Sequence, residues 1–133
     1  MTTNNINANR GQKLGAWTAA ENDIHAAAYL DMLARELRAE KYNKAATRRA
    51  GLAAMADSRA DELRRTPGSW EMKACNVSAV MRAAGLPWIN GYKPLGHGQA
   101  RPLAKALYMV MLSTGWNDAD LDAMQALAQE VTP

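Results

Sequence analysis

The stretch WTAAENDIHAAAYLDMLARELRAE, residues 17–40, decides the fold. Thr18-Ala19-Ala20-Glu21 is a capping box: the Thr18 hydroxyl takes a free amide of the first turn and the Glu21 carboxylate reaches back to the Thr18 amide. Behind it Ala26, Tyr29, Leu30, Leu33 and Leu37 recur at helical spacing, with Asp31, Arg35 and Arg38 on the other side. A helix from about Ala19 to Glu40 follows, with Trp17 placed to staple back onto its first turn.

The same pattern extends outward. Asn43 is a good N-cap for a second helix from Lys44 to about Ala56, whose apolar side is mainly Ala with Leu52 and Met55. Asp57 to Arg65 is charged but tolerates helix, and either prolongs this helix or forms a separate turn. Thr66-Pro67-Gly68 reads as a stop, after which Ser69 caps a third helix, about Trp70 to Ala84, with Trp70, Ala74, Val77, Met81 and Ala84 as its buried stripe. Gly85 supplies a left-handed end, and Pro87 follows where a helix has already finished. Residues 85–102, GLPWINGYKPLGHGQARP, form a long Gly- and Pro-rich connection; Asn90-Gly91 marks a turn able to join short strands at Trp88-Ile89 and Tyr92-Lys93. Pro102 opens a fourth helix through Leu103, Leu107, Val110 and Met111 to Gly115. Asn117 caps a fifth, with Leu121, Met124, Leu127 and Val131 on its apolar side.

Composition agrees. The chain has 133 residues, 48% of them hydrophobic, with no Phe, so its apolar content is mostly the helix formers Ala, Leu and Met. The expected fold is all-α: a compact bundle of about five helices with a helix-turn-helix-like core. Residues 1–15, polar and Asn-rich, read as a disordered arm before a single helical domain, 16–133. The methionines read as filler of an Ala-rich core, the sharper alternative being a Met-rich partner groove. No apolar run approaches a membrane span or a secretion signal, and a lone cysteine, Cys75, leaves no internal disulfide, so a reducing, cytoplasmic setting is expected.

Charge is sorted along the chain. Residues 18–40 carry a net −3, residues 41–105 a net +8, and residues 106–133 four acids and no base. A basic middle between acidic ends suits a polyanion, although solvated helix faces produce such blocks as well.

Catalytic signals are sparse. His25 has Glu21 four residues before it, a metal half-site or a surface hydrogen bond, but neither a second His at metal spacing nor a Cys-x-x-Cys pair accompanies it. His97 sits between glycines in the long connection, Cys75 has no His couple, and Gly91, Gly96 and Gly98 lack the Gly-Lys-Ser/Thr of a phosphate loop. A non-enzymatic protein without metal or cofactor is the expectation.

Several segments carry a resemblance: Trp17-Thr18, Tyr42-Asn43-Lys44-Ala45-Ala46-Thr47-Arg48-Arg49, Gly68-Ser69-Trp70-Glu71-Met72-Lys73-Ala74-Cys75-Asn76-Val77-Ser78-Ala79-Val80 and Gly85-Leu86-Pro87-Trp88-Ile89-Asn90-Gly91-Tyr92-Lys93-Pro94. Over about residues 17–99 the chain resembles the small helical module at the N-terminus of some bacterial restriction-endonuclease-like and HNH-associated proteins. It also has a distant likeness to Myb/SANT and helix-turn-helix domains. Thr47 stands where the module commonly has His, and the charged segment 57–66 replaces a shorter connection. The resemblance implies a DNA-binding protein, a regulator or accessory factor of a phage, plasmid or defence locus. It implies the helix 70–84 as reader, with Lys73 and Asn76 on bases and Arg48 and Arg49 on phosphates. Lys44, Arg82, Tyr92 and Lys93 complete the expected basic surface. The alternative is a protein-interaction module, an inhibitor or adaptor acting on a nucleic-acid-associated partner, in which the acidic last helix matters more.

Overall fold

Thr18 opens the first helix as its capping box dictates: its hydroxyl accepts the Glu21 amide at 3.0 Å and its own amide donates to the Glu21 carboxylate at 3.0 Å. The computed structural model describes residues 14–96 and 100–129, and in it this helix, α1, runs Ala19–Leu37, followed by Ala39 at φ 59°. The expected arm at 1–15 lies outside the described residues except at 14 and 15.

Asn43 caps α2 (Lys44–Asp57), its side chain accepting the Ala46 amide at 2.9 Å. Only Gly51 and Met55 are buried on α2, and Leu52, expected on its apolar side, is half-buried. Ser58 ends the helix, and the chain is non-helical to Thr66, which settles the open choice for this segment. The next helix, α3 (Pro67–Ala83), begins earlier than its sequence suggested. Thr66, not Ser69, is the cap, accepting the Ser69 amide at 3.0 Å, and Pro67 occupies the first turn. Proline has no carbonyl four residues back to clash with at that position, so Thr-Pro starts this helix instead of stopping the previous one. At its far end Gly85 adopts φ +74°; its amide bonds the Arg82 carbonyl and the Leu86 amide reaches back to that of Met81, both at 2.9 Å. That is a Schellman closure, and the left-handed backbone it needs is one glycine enters without penalty.

Residues 84–96 contain no strand. Asn90-Gly91 does turn, but Leu86, Ile89 and Tyr92 are buried, so the segment is pressed into the molecule by an apolar residue at every third position. Residues 97–99, with His97, lie outside the described residues. The last two helices, α4 (Ala100–Leu112) and α5 (Asp118–Ala128), form a hairpin; Asn117 caps α5 by accepting the Asp120 amide at 2.8 Å. Val131, expected on the stripe of α5, is outside the described residues.

The main core is built on α1, which packs against each of α2, α3 and α4. Tyr29, Met32 and Leu33 of α1 meet Val77 and Met81 of α3, Leu107 and Met111 of α4, and Met124 of α5. Met32, Met55, Met81, Met111 and Met124 are buried, as core filler should be, whereas Met72 and Met109 are more than half exposed. Helix α2 stays outside this cluster, packing on α1 and on α3, where the Trp70 indole lies flush against Gly51. Among the described residues no helix is long and apolar enough to cross a membrane.

Candidate nucleic-acid interface and the cleft beside it

The basic residues of the middle of the chain divide into those the fold consumes and those it presents. Arg59 and Arg65 are consumed. Both converge on Glu21, whose side chain is fully buried: Arg65 grips the carboxylate through two bonds of 2.9 and 3.0 Å, and Arg59 adds one of 3.1 Å. Arg59 also pairs with Asp61 at 2.9 Å, and Arg65 donates to the carbonyls of Gly15 and Ala16, so the non-helical segment after α2 is clamped across the start of α1. Burial pushes the Glu21 carboxyl upward, but the Arg65 bond, the Thr18 amide and Arg59 outweigh it and hold the pKa at about 2.

His25 belongs to the same region and is not paired with Glu21. It is completely buried, its Nε2–H donating to the Trp70 carbonyl at 3.1 Å, with its ring against the Trp70 indole. Burial, only partly opposed by that hydrogen bond and reinforced by the Lys73 charge, lowers its pKa to about 4, so the ring is neutral at pH 7. The metal half-site reading fails on this geometry. Among the described residues no group of three or more His, Cys, Asp or Glu comes together.

Lys73 and Tyr92 are the main corrections to the expected surface. Lys73 is 5% exposed and lies over the face of Trp17, 4.5 Å from the ring centre, so it does not project from an open recognition helix. Burial, then the Arg65 charge, lowers its pKa. Tyr92 is 3% exposed, packed near Tyr29 with Lys44 over its ring; burial and the nearby Glu71 charge push its phenol up to about 12. Lys73 is covered by Trp17, which precedes α1, and Tyr92 turns inward with the 86–92 segment, so neither is presented to solvent. The Tyr29 hydroxyl locks that segment, accepting the Ile89 amide at 3.0 Å and sharing a hydrogen bond of 2.6 Å with the Ser78 hydroxyl. The short turn of a helix-turn-helix is not what joins α2 to α3, since residues 58–66 intervene.

The remaining predicted residues gather around α2. Lys44 donates to the Asn90 carbonyl at 2.8 Å while Glu36 accepts the Asn90 amide at 2.8 Å, so the turn is buckled to α1 and α2 from both sides. Arg48, one helical turn on, faces Glu71 at 3.5 Å and is partly exposed. Arg49 and Lys93 are exposed, as is Lys41 just before the helix, a residue the sequence reading did not single out. Helix α2 has no carboxylate until Asp57. Arg82 is exposed near the end of α3, away from this group in sequence, and Asn76 is half-buried.

Asn76 and Lys73 instead line a cleft of about 550 Å³ that follows one side of α3 from Ser69 to Ala83, about 20 Å of helix. Trp17 and Arg65 close one end with Lys73; Leu103 of α4 and Leu127 of α5 contribute to its wall. Trp17 entered the sequence reading only as a staple and as part of the resemblance, and Arg65 only as charge; the contacts that bring both to this cleft join residues far apart in the chain.

Comparison of the chain with protein-family models, curated proteins and solved structures found no match.

Proposed function

We propose that the protein binds DNA through the surface formed by α2 and the turn at residues 90–93, gripping phosphates more than reading bases. The observation that carries this reading is the concentration of Lys41, Lys44, Arg48 and Arg49 on and beside a helix without a carboxylate before Asp57, joined to Lys93 through the Lys44–Asn90 contact. Basic side chains and helix N-termini supply most backbone contacts in such complexes, and these contacts fix position without selecting sequence. Burial of Lys73 removes one of the two expected base readers and burial of Tyr92 removes a member of the expected surface, which moves the proposal from sequence recognition by α3 toward backbone binding by α2.

The test is a titration of random-sequence duplex DNA at several salt concentrations. Affinity falls steeply as salt rises, and replacing Lys41, Arg49 and Lys93 together by Ala weakens binding to every sequence alike and lowers the salt slope by roughly three, about one per phosphate contact. Absence of binding at low salt overturns the reading, as does binding that the triple variant leaves unchanged.

A further inference from the structure

The ion pairs at the mouth of the cleft leave one cation over. Glu21 is matched by Arg65, and Arg59 is shared between Glu21 and Asp61. Lys73, on the next turn of α3, has no carboxylate or carbonyl acceptor among the described residues; its partner is the Trp17 ring. Lys73 is 5% exposed, and its ammonium, over the Trp17 ring in the wall of the cleft, has no anion hydrogen-bonded to it among the described residues and feels the Glu21 charge only at a distance, so an anion entering the cleft would meet a cation already largely stripped of water. Its pKa is lowered, first by burial and then by Arg65, against a partial opposing pull from Glu21, which agrees with that account.

The cleft changes character along its length. Its first turns of α3 present Ser69, Lys73 and then Asn76, whereas the last turns present Ala79, Val80 and Ala83. Small side chains there keep the groove open, and Leu103 and Leu127 add apolar wall. Its volume, about 550 Å³, falls in the range of small-molecule sites, which are mostly apolar with a few placed polar groups. We propose that this cleft binds a small amphipathic anion, its single acidic head on Lys73 and Asn76 beside the Trp17 indole and its apolar body along Ala79, Val80 and Ala83. This site is separate from the basic surface of α2 and does not depend on it.

Decanoate, decanol and decyltrimethylammonium share one tail and differ in the charge of the head, so calorimetric titration of the full chain with each, below micellar concentrations, separates charge from apolarity. Decanoate binds saturably at one site, and the neutral and cationic analogues bind at least about tenfold more weakly, the discrimination one charged hydrogen bond supplies. Lys73→Met keeps the stem over Trp17, removes the charge and brings decanoate down to the level of decanol, while the thermal midpoint does not fall and the DNA titration is unchanged. Ala83→Leu fills the apolar end and weakens decanoate with the helical circular dichroism intact. Equal binding of the three compounds, decanoate binding that survives Lys73→Met or Ala83→Leu, no saturable binding of decanoate, or binding only to vesicles containing phosphatidylglycerol would each overturn the proposal.

Discussion

Glu21 has two functions that its sequence context separates and its surroundings join. As the third residue of a capping box it closes the start of α1; as a buried anion it holds Arg59 and Arg65, which come from 38 and 44 residues further along the chain. The first function depends on neighbours within one turn and was readable from Thr18-Ala19-Ala20-Glu21. The second was invisible, because nothing local to Glu21 announces an arginine from another segment. Removing only the negative partner leaves two guanidinium groups facing an empty place in the interior, an error that typically costs about 3–5 kcal/mol. Glu21→Gln, nearly isosteric, is therefore expected to lower the urea midpoint by an amount of that order with the slope unchanged; a loss below about 1 kcal/mol, the usual worth of a surface pair, would contradict the burial.

At the scale of elements, α2 is anchored less deeply than α1. It buries Gly51 and Met55 where α1 buries eight residues, and it packs on α1 and, through the Trp70 indole, on α3. Helix propensity favours Ala over Gly by about 1 kcal/mol in a helix interior, so local reasoning makes Gly51→Ala stabilising. The structure reverses that sign: a methyl at Gly51 would collide with the Trp70 ring, and overpacking of this kind costs about 1–3 kcal/mol. Gly51→Ala should destabilise, and pairing it with Trp70→Leu in a double-mutant cycle should return part of the loss, which chemical denaturation reads directly. The elements themselves were largely legible. Asn43, Asn117 and Thr18 cap the helices their sequence assigns to them, and Gly85 ends α3 as a left-handed residue. The start of α3 was misplaced because Thr-Pro-Gly is a breaker by composition, yet Thr66 followed by Pro67 is also a cap and a first-turn proline.

For the whole molecule, the buried groups set a direction for its response to acid. His25 has a pKa of about 4 against an ordinary 6.5, so the unfolded chain takes up this proton first and stability present above pH 6.5 is lost as pH falls toward 4. Glu21, at about 2 against 4.5, adds a second loss as pH falls from 4.5 toward 2. Urea midpoints should thus decline in both windows as pH falls below about 6.5, with the His25 ring titrating near 4 by NMR; a ring that titrates at 6.5 would contradict its burial. The His25 share is of the order of 3 kcal/mol, enough to matter in a small domain.

What the sequence by itself determined is what depends on neighbours within about one helical turn: five helices, most of their ends, most of their apolar stripes (Leu37, expected on that of α1, is exposed) and the all-α class. Caps, periodicity and propensity are local, so they are written in consecutive residues. The candidate site was only half legible for the same reason. Arg49 and Lys93 are exposed, but Lys73, an outward base by its place on α3, is folded under Trp17, and Tyr92 is buried near Tyr29. Whether a charge faces water or another segment is decided only when helices distant in sequence pack and exclude solvent. Only the tertiary structure could therefore show which part of the +8 middle is internal bracing on Glu21, which part is an outer face, and that a cleft opens beside the lysine left unpaired.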